Sequence, residues 1–311
     1  MSPFLLVTLS PFVTCENIVT CDTFWNCLTT PLSFGFMQRG LIAAILIAIV
    51  CAVIGAFVVL QELAFIGDAL AHASFPGVVI AFLLKFPLEL GGAVVGILTA
   101  LGIGVITRRS KISQDTAIGV LFAGTFALGV VLLSTVKNYT KDLFGLLLGD
   151  VLAIQTSDLI VIAVMGMLIL AIVFALYKEL VLLTFDPIQA EVIGLPVGLL
   201  NELLLALMAV TIVIAIQTVG IVLVVAMLVT PAATATLLVR RFPLVMLVGA
   251  IQGVVGVIAG LYLSFYLNIA SGATIVLVLT SLFVLALVFA PRLGSRRRAP
   301  ARPGASASPV P

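Results

Sequence analysis

The stretch that decides the fold is GLIAAILIAIVCAVIGAFVVL, residues 40–60, in which none of the 21 side chains carries a charge at neutral pH. A helix of about 20 residues, rising ~1.5 Å per residue, crosses the ~30 Å hydrocarbon layer of a bilayer. The whole chain has the same character, since 63% of its 311 residues are hydrophobic and 9% are charged, against roughly 25% charged in a soluble domain. The sequence therefore predicts an all-α, polytopic transmembrane helical bundle.

Apolar runs on either side of residues 40–60 predict about nine spans. Their approximate limits are 40–60, 63–84, 88–107, 117–136, 158–177, 199–217, 219–239, 243–267 and 271–290. With the N-terminus outside the cell, eleven positive residues lie inside, namely Arg108, Arg109, Lys111, Lys178, Arg240, Arg241, Arg292, Arg296, Arg297, Arg298 and Arg302. The four positive residues outside are Arg39, Lys85, Lys137 and Lys141. This bias predicts an external N-terminus and a cytoplasmic C-terminus, which requires an odd number of spans.

The composition divides the chain into three regions. These are an N-terminal extracytoplasmic extension at 1–36, a transmembrane domain at 37–291 with a cytoplasmic loop at about 178–198, and a disordered cytoplasmic tail at 292–311. The tail is rich in Pro, Ala, Ser and Arg, a composition typical of disorder. In the extension, an oxidising compartment would permit one disulfide, with unpaired thiols as the alternative, among Cys15, Cys21 and Cys27.

Two ionisable residues, Asp68 and His72, lie deep inside the second predicted span, and His72 is the only histidine in the chain. An ionised side chain at mid-membrane costs ~2.5–3.5 kcal/mol on insertion scales. Residues four apart share one face of a helix, and counting from Leu63 places His72 about 13–14 Å into the bilayer, near its midplane. Carboxylate oxygen and imidazole nitrogen suit divalent Mn, Fe or Zn. The pair therefore predicts a metal path, and the alternative is a mutual hydrogen bond that stabilises packing.

The same span is predicted to be discontinuous. Pro76 has no N–H to donate to the carbonyl of His72, and Gly67 and Gly77 bracket the stretch, an arrangement typical of transport sites at mid-membrane. Two ligands from one helix do not complete the shell of a cation, so either other residues or a second copy of the chain must contribute. Small-residue spacings that favour close helix packing occur at Gly92 and Gly96, Gly249 and Gly253, and Gly256 and Gly260.

The loop at 178–198 contains a second signal, a helix of about two turns at Ile188–Ile193. Asp186 is a capping residue, Pro187 suits the first helical position, Gln189 the third, and Gly194 follows the end. A helix this short is unstable alone, so the membrane surface or a partner must hold it, and we favour an ATPase partner. The sequence contains no G-x-x-x-x-G-K-[ST] motif, so ATP chemistry is expected on a separate chain.

Several runs of sequence together resemble one known family. They are FIGDALAHASFPG (65–77), DTAIG (115–119), FDP (185–187) with GLP (194–196), TPAATA (230–235) and GATIVL (272–277). From about Gly35 to Pro291 the chain resembles the manganese/zinc/iron permease family of bacterial ABC importers, and it is most similar to manganese-type members.

The resemblance implies a homodimeric, multi-pass permease in the bacterial plasma (inner) membrane, surrounded by lipid. Its other partners would be two cytoplasmic ATPase subunits and an extracytoplasmic metal-binding protein. The cargo would be a divalent metal ion, manganese or alternatively zinc or iron, with no permanently bound cofactor. Asp68 and His72 would lie on the metal path. The ATPase contact would include Asp186, Pro187, Ile188, Gln189 and Gly194.

The sequence also fits two other classes of transport function. An ATP-independent secondary transporter or channel could use the same Asp and His, and copurification with an ATPase subunit would distinguish it. A metal chelate such as a siderophore is a further cargo. We expect a transport subunit rather than an enzyme, because one histidine and no recognisable nucleophile–base or zinc-protease spacing leave little to perform chemistry. We expect no nucleic-acid partner.

Overall fold

The computed structural model describes residues 31–109, 113–134 and 154–294, and these residues form helices and no strand. After a 3₁₀ turn at Pro31–Ser33, they contain twelve helices. The helices are α1 (Gly35–Leu60), α2 (Ala64–Ala73), α3 (Phe75–Leu84), α4 (Leu88–Arg109), α5 (Gln114–Ser134), α6 (Thr156–Ala175), α7 (Tyr177–Phe185), α8 (Pro187–Val192), α9 (Val197–Val219), α10 (Ile221–Leu238), α11 (Phe242–Leu267) and α12 (Ser271–Gly294).

Nine helical segments within the described residues are long and apolar enough to cross a membrane. They are Gly35–Leu60, Ala64–Leu84, Leu90–Arg109, Gln114–Ser134, Thr156–Ala175, Val197–Ile216, Ile221–Leu238, Phe242–Leu267 and Ser271–Phe289. Each coincides with a span predicted from the apolar runs, so the all-α polytopic bundle is confirmed. The side on which each terminus lies remains a prediction.

Predictions that concern the two ends of the chain fall on other residues. Cys15, Cys21 and Cys27 lie outside the described residues, as does the tail from residue 295 onward. The fourth cysteine, Cys51, is buried in α1.

Helix α1 is the centre of the bundle and packs against α6, α10 and α11. Every residue from Val50 to Val58 is buried, so this part of the helix is surrounded by protein on all sides. Because lipid tails are as apolar as the helices, burial of apolar surface does not hold such helices together, and close backbone packing takes its place. Gly55 provides one such contact, since a side chain there would collide with the backbone carbonyl of Leu228 in α10.

The predicted small-residue spacings all lie at helix interfaces. Gly92 and Gly96 of α4 face Val213 of α9. The remaining four glycines lie on α11. A side chain added at Gly249 would lie nearest to Pro231, and one at Gly253 nearest to Ala48. A side chain at Gly256 would meet Leu279, and one at Gly260 would meet Ile275. The tightest contact between α3 and α4 is formed instead by Gly77 and Gly91, each facing the carbonyl of the other.

The second span is divided at Ser74, which separates α2 from α3, in agreement with the predicted discontinuity. The Ser74 hydroxyl donates to the carbonyl of Ala71 at 2.8 Å, and α3 begins at Phe75 with Pro76 in its first turn. Both half-helices pack against α4 and α5. The break therefore lies two residues after His72, inside the bundle.

Helices α9 and α10 are joined by Gly220 alone, whose φ of 80° and ψ of 162° fall in a region open essentially only to glycine. The backbone thus changes direction at one residue, and α10 leaves α9 to lie beside α1 and α2. This turn brings α10 against the half-helix that carries Asp68 and His72.

Candidate functional site

Asp68 and His72 lie one turn apart on α2 with their side chains on the same face. The His72 Nε2 and Asp68 Oδ1 atoms are 3.6 Å apart, and the two side chains are 29% and 54% exposed. That separation is too long for a hydrogen bond. The exposed fractions leave both side chains accessible from outside the chain.

A groove of about 730 Å³ contains both side chains. One wall is α2 and the other is α10. The lining residues are Ala64, Phe65, Asp68 and His72 from α2, and Ile221, Val222, Val225, Ala226, Val229 and Thr230 from α10. Only three of the ten are polar, so a cation entering the groove would meet a carboxylate, an imidazole and a hydroxyl on an otherwise apolar surface.

The imidazole of His72 is held from behind by α5. Its ring centroid lies 5.8 Å from that of Phe122 and 5.6 Å from that of Phe126, which meets it edge-on. Phe126 also contacts Phe75 at the start of α3. These rings limit how far the imidazole can rotate, which keeps its Nε2 atom near Asp68.

The α10 wall is braced by a short polar chain. Gln252 of α11 donates its Nε2 hydrogen to the Thr234 hydroxyl at 2.9 Å, and that hydroxyl donates to the carbonyl of Thr230 at 2.8 Å. Pro231 lies inside the helix and cannot donate to the preceding turn. The Thr234 hydroxyl thus links the turn of α10 that follows the proline to α11.

The part of the chain that the structure describes does not group enough acidic, histidine and cysteine residues for a complete ligand set. Within 31–109, 113–134 and 154–294, no group of three or more His, Cys, Asp or Glu side chains could hold a metal ion. Asp68 and His72 would thus supply only two ligands of a cation's shell. The groove opens at the protein surface, where Phe65 and Val222 are 79% and 64% exposed.

The short helix predicted in the 178–198 loop is present as α8. The Asp186 carboxylate accepts a hydrogen bond from the Gln189 backbone N–H at 2.9 Å, and Pro187 occupies the first helical position. Gly194 follows with a φ of 84°, a left-handed conformation that glycine adopts without strain. Asp186 and Pro187 therefore lie at the start of the helix and Gly194 just after its end, as the sequence predicts. The helix ends at Val192, one residue earlier than predicted.

Helix α8 presents a mostly apolar surface away from the bundle. Ile188 and Val192 are 75% and 80% exposed, whereas Ala190 is buried. Phe185, just before the helix, packs edge-on against Phe242 of α11 at 5.9 Å. The surface is thus free on its outer side and connected to the bundle on its inner side.

A second connection lies just after α8. Arg108, at the end of α4, forms an ion pair with Glu202 of α9. A side chain at Gly198 would collide with the Arg108 guanidinium, so the arginine lies over the first turn of α9. The ion pair thus joins α4 to the start of α9, the helix that follows α8.

Sequence comparison identifies relatives over most of the chain. Residues 33–290 match the ABC 3 transport family. The manganese transport system membrane protein MntC of Halalkalibacterium halodurans is 46% identical over 263 residues, which cover 85% of this chain and 90% of that protein. The chelated iron transport system membrane protein YfeD of Yersinia pestis is 37% identical over 268 residues, which cover 86% of this chain and 90% of that protein.

A solved structure has the same arrangement of helices. It is described as PsaBC from Streptococcus pneumoniae in complex with Fab, and the matched chain is 34% identical to this one. The TM-score is 0.78, and the match covers 89% of this chain and 100% of that chain.

Proposed function

The chain belongs to the ABC 3 transport family, and from this premise we propose that it carries manganese into the bacterial cell along a path that includes Asp68 and His72. As a member of that family it is a membrane-spanning permease subunit and not an enzyme. With nine apolar helical segments in the described residues and relatives that are membrane proteins of bacterial transport systems, it is a multi-pass protein of the bacterial plasma membrane.

The observation that carries the proposal is the position of the Asp68 and His72 pair. In a chain with 9% charged residues, the only histidine and an aspartate one turn away both face the same groove. Their oxygen and nitrogen atoms suit divalent first-row metals. An ionisable side chain is costly inside a bilayer, and residues of this kind mark the paths of substrates and ions.

The choice of manganese rests on the relatives. The MntC protein of Halalkalibacterium halodurans is named for manganese and has 46% identity to this chain. Iron is the second candidate cargo, because YfeD is named for chelated iron at 37% identity. An Asp and His pair accepts either metal, so the ligand type alone does not decide between them.

A second copy of the chain would complete the ion's shell. The groove opens at the surface, and the described part of one chain offers two ligands of the acidic and histidine type. A twofold axis along the groove would bring a second Asp68 and His72 opposite the first pair, and closed dimers are the commonest oligomers. The exposed Phe65 and Val222 at the groove edge supply apolar surface for that contact.

Helix α8 is the proposed contact with the cytoplasmic ATPases, one for each copy. Its exposed Ile188 and Val192 fit an apolar pocket on a partner. Movement of α8 would reach α4 through the Arg108 and Glu202 ion pair, and α11 through Phe185 and Phe242. On the outer side, an extracytoplasmic metal-binding protein would deliver the ion.

Cells expressing the complete importer are expected to accumulate manganese several-fold above cells that lack this chain. The measurement is elemental analysis of washed cells grown with equal manganese, iron and zinc. Accumulation of iron without manganese would replace the proposed cargo with the second candidate.

Replacement of Ile188 by aspartate is expected to reduce copurification of the ATPase at least about tenfold, because full burial of such a side chain contributes about 1.5–3 kcal/mol. The measurement is the ratio of ATPase to permease after affinity purification in detergent. Ile188→Leu is the matched control and should leave the ratio unchanged. An unchanged ratio in Ile188→Asp would remove α8 from the contact, and the absence of any copurifying ATPase with the native chain would favour an ATP-independent transporter.

A further inference from the structure

Thr230 is the one polar residue on the α10 wall of the groove that holds Asp68 and His72. It is the first residue of the TPAATA run at 230–235. Its neighbours on that wall are aliphatic, so the Thr230 side chain is the only source of a side-chain ligand atom from α10 among the lining residues.

Most threonine hydroxyls in the described helices are used by their own helix. They donate to a carbonyl four residues earlier at 2.6 to 2.8 Å, as is usual for hydroxyls in apolar helices. This group comprises Thr99, Thr107, Thr125, Thr184, Thr211, Thr234 and Thr274.

Thr230 departs from this pattern. Its carbonyl accepts a hydrogen bond from the Thr234 hydroxyl, yet within the described residues its own hydroxyl has no hydrogen-bond partner. The Thr230 side chain is partly exposed, and a hydroxyl that lines a groove can bind what enters the groove. The bracing chain from Gln252 through Thr234 fixes the backbone that carries this side chain.

We propose that the Thr230 Oγ1 atom is a third ligand of the transported ion and favours manganese over zinc. This inference rests on the proposed function, because it assumes that an ion passes Asp68 and His72. Zinc is satisfied by four ligands, with nitrogen and sulfur common among them, whereas manganese prefers oxygen ligands. A neutral hydroxyl adds an oxygen to the shell without adding charge in the membrane.

The test compares two substitutions at Thr230 in the complete importer, with radioactive Mn²⁺ uptake into cells as the readout. Thr230→Val keeps the shape of the side chain but removes the oxygen, and Thr230→Ser keeps the oxygen. For Thr230→Val we expect the Mn²⁺ concentration at half-maximal uptake to rise about tenfold, the lower end of what a lost metal-site interaction costs. We also compare the Zn²⁺ concentration that halves Mn²⁺ uptake with the Mn²⁺ concentration at half-maximal uptake. We expect the ratio of the first to the second to fall several-fold in Thr230→Val. Thr230→Ser should remain within about twofold of the native importer in both measurements.

Uptake is normalised to the amount of assembled complex in the membrane, and Thr230→Ala is measured alongside as a second variant that lacks the oxygen. Equal impairment of Thr230→Val and Thr230→Ser would indicate packing and overturn the inference. Native behaviour of Thr230→Val, combined with loss of uptake in Asp68→Asn, would overturn the inference and leave the proposed function intact. Native behaviour of Asp68→Asn as well would overturn the proposed function itself.

Discussion

Manganese uptake is expected to fall at least about 100-fold when Asp68 is replaced by asparagine, since even the outer partners of metal ligands contribute about 10–100-fold. Asparagine keeps the size of the side chain and removes its negative charge, so the groove retains its shape. The loss should therefore appear in transport and not in the amount of folded permease. Initial rates of ⁵⁴Mn²⁺ uptake, normalised to the assembled complex, measure it.

Replacement of His72 by phenylalanine separates ligation from packing. A phenyl ring can keep the contacts that the imidazole makes with Phe122 and Phe126, but it offers no nitrogen. We expect uptake to fall by a similar factor, while the thermal stability of the purified permease changes little. If the histidine served only to pack α2 against α5, this variant would transport manganese at nearly the native rate.

Glu62→Gln is the matched control for the loss of a carboxylate on the same segment. Glu62 is exposed just before α2 and does not line the groove, so its variant should retain uptake within about twofold. Near-native uptake by both Asp68→Asn and His72→Phe would remove the pair from the metal path.

Replacement of Gly77 by alanine is expected to lower the stability of the bundle by about 1–3 kcal/mol, the usual cost of overpacking. The added methyl group would lie 2.7 Å from the carbonyl carbon of Gly91 and 2.9 Å from the Cβ atom of Val95. A backbone group cannot rotate away as a side chain can, so α3 and α4 would have to separate. The measurement is the melting temperature of the detergent-solubilised permease, with manganese uptake as a second readout.

Gly119→Ala is the control for this substitution. Gly119 also lies inside a helix, α5, but a side chain there would meet nothing within 4 Å. Alanine is the better helix former by about 1 kcal/mol, so this variant should be at least as stable as the native chain. Equal melting temperatures for the Gly77 and Gly119 variants would contradict the proposed role of the Gly77 and Gly91 contact.

Much of the fold could be predicted from the sequence because each span is a local property. Residues 40–60 predict a membrane helix from length and polarity alone, and α1 is found at Gly35–Leu60. The shared face of Asp68 and His72 follows from their spacing on one helix, and the Asp186 cap follows from residues three positions apart. None of these predictions required knowledge of a contact between distant parts of the chain.

The second wall of the groove could not be predicted in this way. Thr230 lies more than 150 residues after His72, and only the turn at Gly220 and the packing of α10 beside α2 bring them to one surface. Phe122 and Phe126 likewise follow a four-residue spacing that is common in any apolar helix. The Gly77 and Gly91 contact is missed because each glycine belongs to a different helix, and no signal in either helix names its partner.

Asp68 is the single acidic residue among those that line the groove. In a cavity shared by two facing copies, the two carboxylates would carry two negative charges, which equal the charge of one M²⁺ ion. The occupied cavity would then be electroneutral, whereas a monovalent or trivalent ion would leave a net charge in a medium of low dielectric constant, where such a charge is costly. The number of carboxylates would thus act as a filter for ionic valence.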